Sequence, residues 1–584
     1  MTAEQTKIAE ESHVKAPWLN VYGVVPPHLD YPDCTMYEAV ERCAEPYPNH
    51  TAYVFMGRKT TYRAMAAEID LCARALKATG VRPGDRITMA MPNCPQAVIM
   101  FYAINLVGAT ANMIHPLSSE KEIEFYLKES GSIFAVTLDQ FYHKFEAIRQ
   151  NVTLDNIILA SIPDALSKPV RVGYMLTEGR KQAKIPKDAP VLRWNEFLRR
   201  GRGYHWTYRA ERRAGDEAVI LYSGGTTGVT KGIQLTNLNF NALGKQIIAT
   251  NPMFRPGDKM LAVMPMFHGF GLGVSIHSML VSGGCCILVP RFTPDSYAKL
   301  LLKYRCNLIA GVPTLYEALL RLPKMKNADL SCLKGVYSGG DSLSVELKKR
   351  FDQFLFDHHA TIQVREGYGL TECVTASCLT PYHISREGSI GIPFPDTYYK
   401  IVEHGTQKEV PYGTEGEICL SGPTVMMGYL HHPEETAQTL QTHEDGLTWV
   451  HTGDLGYMDP DGFVYFRQRL KRMIVTSGYN VYPSQMENIL DAHELVQMSC
   501  VIGVPDPLKM QKVKAFVMLK PGVPANEETK AVLMAYIRKN VAKYALPYDI
   551  EFRAELPKTL VGKVAYRVLE EEELKKLSET AQEQ

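Results

Sequence analysis

The chain has 584 residues, 45% of them hydrophobic and 22% charged, which is ordinary globular usage in a chain too long for one compact core, so more than one domain is expected. With 64 Lys and Arg against 63 Asp and Glu the formal net charge is +1; no whole-molecule field gathers nucleic acid or an anionic membrane, and any such contact needs a local patch. The 12 cysteines form no CxxC pair and no zinc-type His/Cys spacing, which fits buried thiols in a reducing compartment.

In chain order, the N-terminal MTAEQTKIAEESHVKAPW carries acids and lacks an apolar core, so it does not read as a secretory signal and cytoplasmic residence is expected. RITMAMP followed by QAVIMFYAINLVG begins an alternation of β-rich runs and helices that predicts α/β layers around a largely parallel sheet. The uncharged stretches 87–119 and 260–290 raise the transmembrane question. Pro92, Pro95, Gly108 and Pro116 break the first; Pro265, His268, Gly269, Gly271, Gly273, His277, Gly283 and Gly284 break the second, so buried core or pocket is expected. Residues 161–213 are enriched in cations (Lys168, Arg171, Arg180, Lys181, Lys184, Lys187, Arg199, Arg200, Arg202, Arg212, Arg213) with Tyr174, Trp194, Phe197, Tyr204 and Trp206 between them. Two readings stand for that stretch: a solvated surface excursion, or a basic-aromatic patch for peripheral contact with the inner face of a membrane.

The run DEAVILY is a buried-strand candidate that enters YSGGTTGVTKG, whose glycines, hydroxyls and Lys231 suit a polyphosphate. It is not a Walker loop, because no Gly-Lys-Ser/Thr occurs. Residues 333–337 run likewise into a Ser-Gly-Gly turn. The GGDSL there also reads as a carrier-attachment or esterase serine at Ser342, but neither the small helical domain nor the triad that such a serine needs surrounds it. In GYGLTE, Tyr368 offers an aromatic face to a purine, Thr371 a hydroxyl to a phosphate and Glu372 a carboxylate to Mg²⁺. In HTGDLG, Asp454 stands on a tight turn where it can accept from both ribose hydroxyls. After about Arg469 the texture shifts to shorter units, with helices expected over 484–493 and 527–544 and strands near VIGVPD and VKAFVMLK. The fold expected is α/β: a large N-terminal domain (1–469) of layered sheets and helices, and a smaller mobile C-terminal α+β domain (470–584).

These motifs, together with PMFHGFG, GEICLSGPTVMMGY, RQRLKRMI and LPKTLVGKVAYR, resemble the adenylate-forming superfamily of acyl-CoA synthetases, luciferases and adenylation domains, and are most like bacterial long-chain fatty acid–CoA ligases. The likeness runs over residues 37–569 in the family's motif order. It implies that Thr226, Thr227 and Lys231 meet the ATP phosphates, with Ser223 and Gly225 in the same loop, that Glu372 holds Mg²⁺ and Thr371 the α-phosphate, and that Gly340, Gly367 and Tyr368 line the adenine. Asp454 and Arg469 would hold the ribose, His268 would stand at the mouth of the acyl pocket, and Lys471 would be the hinge. Lys563 would bridge the attacking carboxylate and the nucleotide. The catalytic set implied is Lys563, Thr226, Glu372 and His268.

The activity implied is ATP-dependent conversion of a carboxylic acid, a medium- to long-chain fatty acid, to acyl-AMP, then transfer to coenzyme A. Departures from the family pattern are Pro483-Ser484-Gln485 for Pro-x-Glu, Thr236-Asn237-Leu238-Asn239 for THRN, and Leu272 where some long-chain members carry a gating Trp. Rival readings are a ligase that loads a carrier protein, a ligase for aryl or other acids, luciferase-like oxidation, an amino-acid adenylation domain and a non-catalytic nucleotide-binding protein. The amino-acid reading lacks an acid beside the pocket motif, and the non-catalytic one conflicts with the presence of Lys563, Glu372 and Asp454 together. Oligomeric state is not legible.

Overall fold

Twelve consecutive side chains of the helix Pro95–Leu106 are buried, as an all-round apolar helix requires. It sits in the interior of a large N-terminal domain whose core is built on two mostly parallel sheets. The computed structural model describes residues 14–177, 185–222, 230–476, 479–506, 509–559 and 562–582. A nine-stranded sheet carries, side by side and parallel, Cys285–Leu288, Lys259–Ala262, Leu308–Gly311, Gly335–Ser338 and Val364–Tyr368. An eight-stranded sheet carries Arg86–Ala90, Thr110–Met113 and Glu217–Tyr222 in parallel, with Gly232–Thr236 antiparallel beside them. Both interrupted apolar stretches lie within these layers, and no helix among the described residues is long and apolar enough to cross a membrane.

A third sheet, of five strands and antiparallel, includes Gly416–Ser421, Thr448–Met458 and Val464–Arg469. The smaller C-terminal domain has its own five-stranded sheet, in which the long hairpin Val496–Asp506/Met510–Leu519 is flanked by Ile474–Thr476 and Asp549–Phe552. Its first helix, Pro483–Asp491, starts on a proline, the residue pre-organised for a first helical turn. The helix expected over 527–544 ends at Asn540, because Val541 leaves it extended (φ −132°, ψ 158°) before a short 3-10 turn at Lys543–Ala545.

The stretch 161–213 divides in two. Trp194 and Phe197 face inward from the helix Trp194–Arg202 and are core residues, so they do not belong to a surface patch. The helix Lys168–Leu176 buries no residue and exposes Val170, Val172, Met175 and Leu176, as does Trp206 farther on. Arg180, Lys181 and Lys184 lie outside the described residues.

One buried cation ties the sheet to the helix Asn237–Ala249. Arg365, 7% exposed, donates from Nε to Thr380 O (2.7 Å) and from Nη1 to Thr250 O (2.9 Å) at the helix C-cap, where a cation suits the helix dipole. Its guanidinium also lies 5.8 Å from the Tyr337 ring centroid. Arg365→Leu should leave two buried carbonyls unpaired at about 1–3 kcal/mol each, which thermal melting would register as a drop of several degrees.

Candidate active site

Strand ends and one loop of the small domain converge on a single place. Gly335–Ser338 runs into Gly339 and Gly340, and Gly340 adopts φ +83°, a conformation that favours glycine. Beside it Val364–Tyr368 ends on Gly367 and Tyr368, and a β-carbon on Gly339 would lie 3.2 Å from Gly367 O. The Tyr368 hydroxyl donates to Asp454 Oδ2 at 2.6 Å. Asp454 faces Arg469 directly across the strands Thr448–Met458 and Val464–Arg469, with Arg469 Nε 3.2 Å from Oδ1 and the carboxylate 1% exposed. Burial raises the Asp454 carboxyl against the opposing pull of Arg469. Beyond its ion pair with Arg469, Asp454 Oδ1 is buried and has no hydrogen-bond partner among the described residues, so a lone pair remains for a ligand hydroxyl.

Lys563 reaches this place from the other domain. Its loop closes through Thr559 N to Lys563 O (2.7 Å) and turns on Gly562 at φ +87°. Thr314 Oγ1 of the large domain donates to Gly562 O at 3.1 Å. The Lys563 stem passes Gly340 so closely that a β-carbon there would stand 3.4 Å from Cε. Burial lowers the Lys563 pKa; Asp341 opposes that shift and Arg469 adds to it. The same ammonium, after burial, lowers His268, whose pKa falls from 6.5 to about 3. His268 is thus a neutral imidazole. Its Nδ1 accepts from Phe270 N at 3.2 Å, which leaves the proton on Nε2.

After His268 the chain forms a π-helix, Phe270–His277, a rare geometry often found at functional sites. Its close packing explains the glycines: a β-carbon would stand 1.8 Å from Val374 O at Gly269 and 2.1 Å from Pro265 O at Gly271. Val374 is the centre of a γ-turn with φ 67° and ψ −56°, closed by Thr375 N to Cys373 O at 2.8 Å. A β-branched residue in that conformation is strained, and it directly follows the short helix Thr371–Cys373 that carries Thr371 and Glu372. Glu372 Oε1 accepts from the Tyr429 hydroxyl at 2.7 Å. Lys231 Nζ lies 5.1 Å from the Tyr429 ring centroid and 3.2 Å from Glu435 Oε1. Glu372 fits Mg²⁺, which takes one or two protein carboxylates and completes its shell with phosphate and water. No group of three or more His, Cys, Asp or Glu suited to a metal occurs among the described residues.

The structure therefore brings together Gly340, Gly367, Tyr368, Asp454, Arg469, Lys563 and His268, with Thr371 and Glu372 on an adjoining segment and Lys231 linked to Glu372 through Tyr429. Ser223, Gly225, Thr226 and Thr227 lie outside the described residues. Lys471 falls in the 3-10 turn Leu470–Arg472, which follows the strand Val464–Arg469. Sequence reasoning missed Tyr429, Asp341 and the strained Val374. Tyr429 and Asp341 stand within quoted motifs, but their partners come from distant segments, and no local pattern announces a γ-turn at valine.

The AMP-binding enzyme family matches residues 40–430, and the AMP-binding enzyme C-terminal domain matches residues 485–563. The chain is similar to a long-chain-fatty-acid–CoA ligase of Bacillus subtilis (strain 168), with 36% identity over 95% of this chain and 98% of that one. A long-chain-fatty-acid–CoA ligase of Salmonella typhimurium is 33% identical over 96% of this chain and 98% of its own length. Among solved structures, ATP-bound MatB from Rhodopseudomonas palustris superposes with a TM-score of 0.79 at 25% identity, covering 92% of this chain and 99% of that chain. The anthranilate CoA ligase AuaEII in complex with anthranoyl-AMP gives a TM-score of 0.80 at 26% identity, covering 93% and 97%.

The neutral state of His268 has a measurable consequence. A histidine whose folded pKa is depressed contributes stability above its unfolded value and loses it as pH falls. Melting temperature should therefore decline as pH drops from 6.5 toward about 3, with His277, also lowered to about 3 by burial, adding to the slope. His268→Gln should make that decline shallower without abolishing it.

Proposed function

The chain belongs to the AMP-binding enzyme family and as such is an ATP-dependent acid–thiol ligase, and from this premise we propose that its acid is a medium- to long-chain fatty acid, activated as acyl-AMP and passed to coenzyme A. The observation that carries this reading is the position of Lys563, delivered by the small domain against Gly340 and beside His268 and the Asp454–Arg469 pair. A carboxylate that attacks an α-phosphate brings two anions together, so cations must meet the charge that develops. Lys563 supplies one from the protein. Mg²⁺ on Glu372 would offset charge on the phosphates. Asp454 holds the ribose, Tyr368 and the glycines around Gly340 and Gly367 accommodate the adenine, and Thr371 and Lys231 stand toward the phosphates. Holding both reactants this way is worth an effective molarity on the order of 10⁵ to 10⁸ M. No side-chain nucleophile is needed.

The fatty-acid reading is supported by the apolar π-helix beyond His268, with buried Leu272, Val274 and Ile276, and by the relatives named above. A panel of carboxylic acids scored by pyrophosphate release with and without coenzyme A tests it; a preference for aryl acids, or release with no thioester formed, would overturn it.

The domain boundary at 469/470 and a hinge at Lys471 belong to the same proposal. Arg469 is paired to Asp454 in the large domain, and Arg472 is held by Glu487 and by the Tyr566 ring in the small one. Only Leu470 and Lys471 lie between those anchors. Rotation there would withdraw Lys563 and admit the thiol. Lys563→Ala should lose pyrophosphate release yet still convert supplied acyl-AMP to thioester, whereas Lys471→Pro should spare the first half-reaction and depress the second.

A second reading rests on the exposed apolar residues of Lys168–Leu176. With Lys168, Arg171 and exposed Arg199, Arg200 and Arg202 nearby in sequence, this region would dock reversibly on anionic lipid, each cation contributing about 1 kcal/mol near the surface. Sedimentation with liposomes should rise with anionic lipid and fall with salt, and serine at 199, 200 and 202 should weaken it while turnover of a short, soluble acid is unchanged.

A further inference from the structure

The strand Gly416–Ser421 pairs antiparallel with Thr448–Met458, but the register slips: Glu417 faces Leu455 while Cys419 faces His451. Ile418 alone therefore stands opposite Thr452, Gly453 and Asp454, and this bulge sets where the Asp454 carboxylate lies. Three bonds hold its backbone. Thr452 Oγ1 donates to Ile418 O at 2.7 Å and accepts from Asp454 N at 3.1 Å. Gly453, at φ +68°, donates its N–H to Glu417 Oε1 at 2.9 Å.

Glu417 is 5% exposed and its other oxygen has a chain of partners behind it. Oε2 lies 3.2 Å from His451 Nδ1, with Cys419 Sγ 3.6 Å from the same nitrogen and His404 Nδ1 3.8 Å from Oε2. A carboxylate only accepts, so His451 donates from Nδ1, and its Nε2 meets His443 Nε2 2.9 Å away, with one proton shared between the two nitrogens. His443 Nδ1 is buried and has no hydrogen-bond partner among the described residues, and the ring lies 5.8 Å from the Trp449 ring. Burial works to raise the Glu417 carboxyl, and His451 and the Gly453 N–H outweigh it, so it stays below the ordinary carboxylate range. A buried anion with both oxygens engaged is a rigid prop, since losing either partner leaves charge uncompensated.

We propose that Glu417 is a positioning residue for the nucleotide's ribose, fixing the Gly453 bulge that presents Asp454, and that the His451–His443 pair fixes Glu417 in turn. Glu417 itself touches no substrate atom. The inference rests on Asp454 meeting the ribose, so Asp454→Ala is assayed alongside.

The test compares the KM for ATP, for 2′-deoxyATP and for the acid in pyrophosphate release by the full-length enzyme. Glu417→Ala should raise the KM for ATP about tenfold, the fold-change of one lost charge-assisted hydrogen bond. The KM for the acid should stay in place, and the preference for ATP over 2′-deoxyATP should shrink. Glu417→Gln should restore that preference, because its amide oxygen can still accept from Gly453. His451→Phe should shift the same ratio in the same direction, and it carries the test if Glu417→Ala does not fold. An unchanged ATP preference in Glu417→Ala or, failing that, in His451→Phe, while Asp454→Ala loses it, overturns the positioning role alone. An unchanged preference in Asp454→Ala overturns the ribose assignment itself. Parallel rises in the KM of ATP and acid would mark general damage and likewise defeat the proposal.

Discussion

Asp454 and Arg469 face each other across two antiparallel strands, and burial of the carboxylate makes their pairing obligatory: an isolated charge 1% exposed would cost several kcal/mol. Much follows from that single contact. It fixes the end of the strand Val464–Arg469 and holds a carboxylate next to the Tyr368 hydroxyl. Arg469 then also faces the ammonium of Lys563, so the pair that anchors the sheet helps set the field in which the lysine works.

Around it the packing is too close for ordinary side chains. Gly269 and Gly271 leave no room for a β-carbon against backbone carbonyls, and the π-helix they introduce brings apolar side chains up to His268. Val374 bears a strained turn within this packing. Strain of this kind costs about 1–3 kcal/mol and persists only where surrounding contacts over-determine it; here the constraint lies between the carboxylate of Glu372 and the π-helix Phe270–His277.

The layered α/β plan was legible because buried parallel strands and apolar helices write themselves as continuous runs, and the loop that follows residues 333–337 carries glycine at the turn. Gly340, Gly367, Tyr368 and Arg469 converged because each stands at or just past a strand end; Asp454, Lys563 and His268 reach the same place from a bulge, a loop and the start of a π-helix. The antiparallel sheet was not legible: GEICLS is buried at all six positions, so it lacks the alternation that marks a half-exposed strand. Trp194 and Phe197 misled for the opposite reason, since a helix interleaves inward aromatics with outward cations, and sequence adjacency mimics a patch. His443 and His451 lie on one hairpin, but Glu417 is remote from both in sequence and meets them only through strand pairing, which no local pattern announces.

The short linkage between Arg469 and Arg472 has a further consequence. Each residue contributes only two soft backbone torsions, and with the guanidinium on either side tethered to its own domain, few degrees of freedom remain to aim a module of more than a hundred residues. If the small domain turns at Lys471, as proposed, such a joint would confine it to a narrow arc instead of a diffuse cloud of orientations. Exchange of one loop for another over the same acyl-AMP would then be a matter of timing along a track, with the intermediate exposed to water only for the transit.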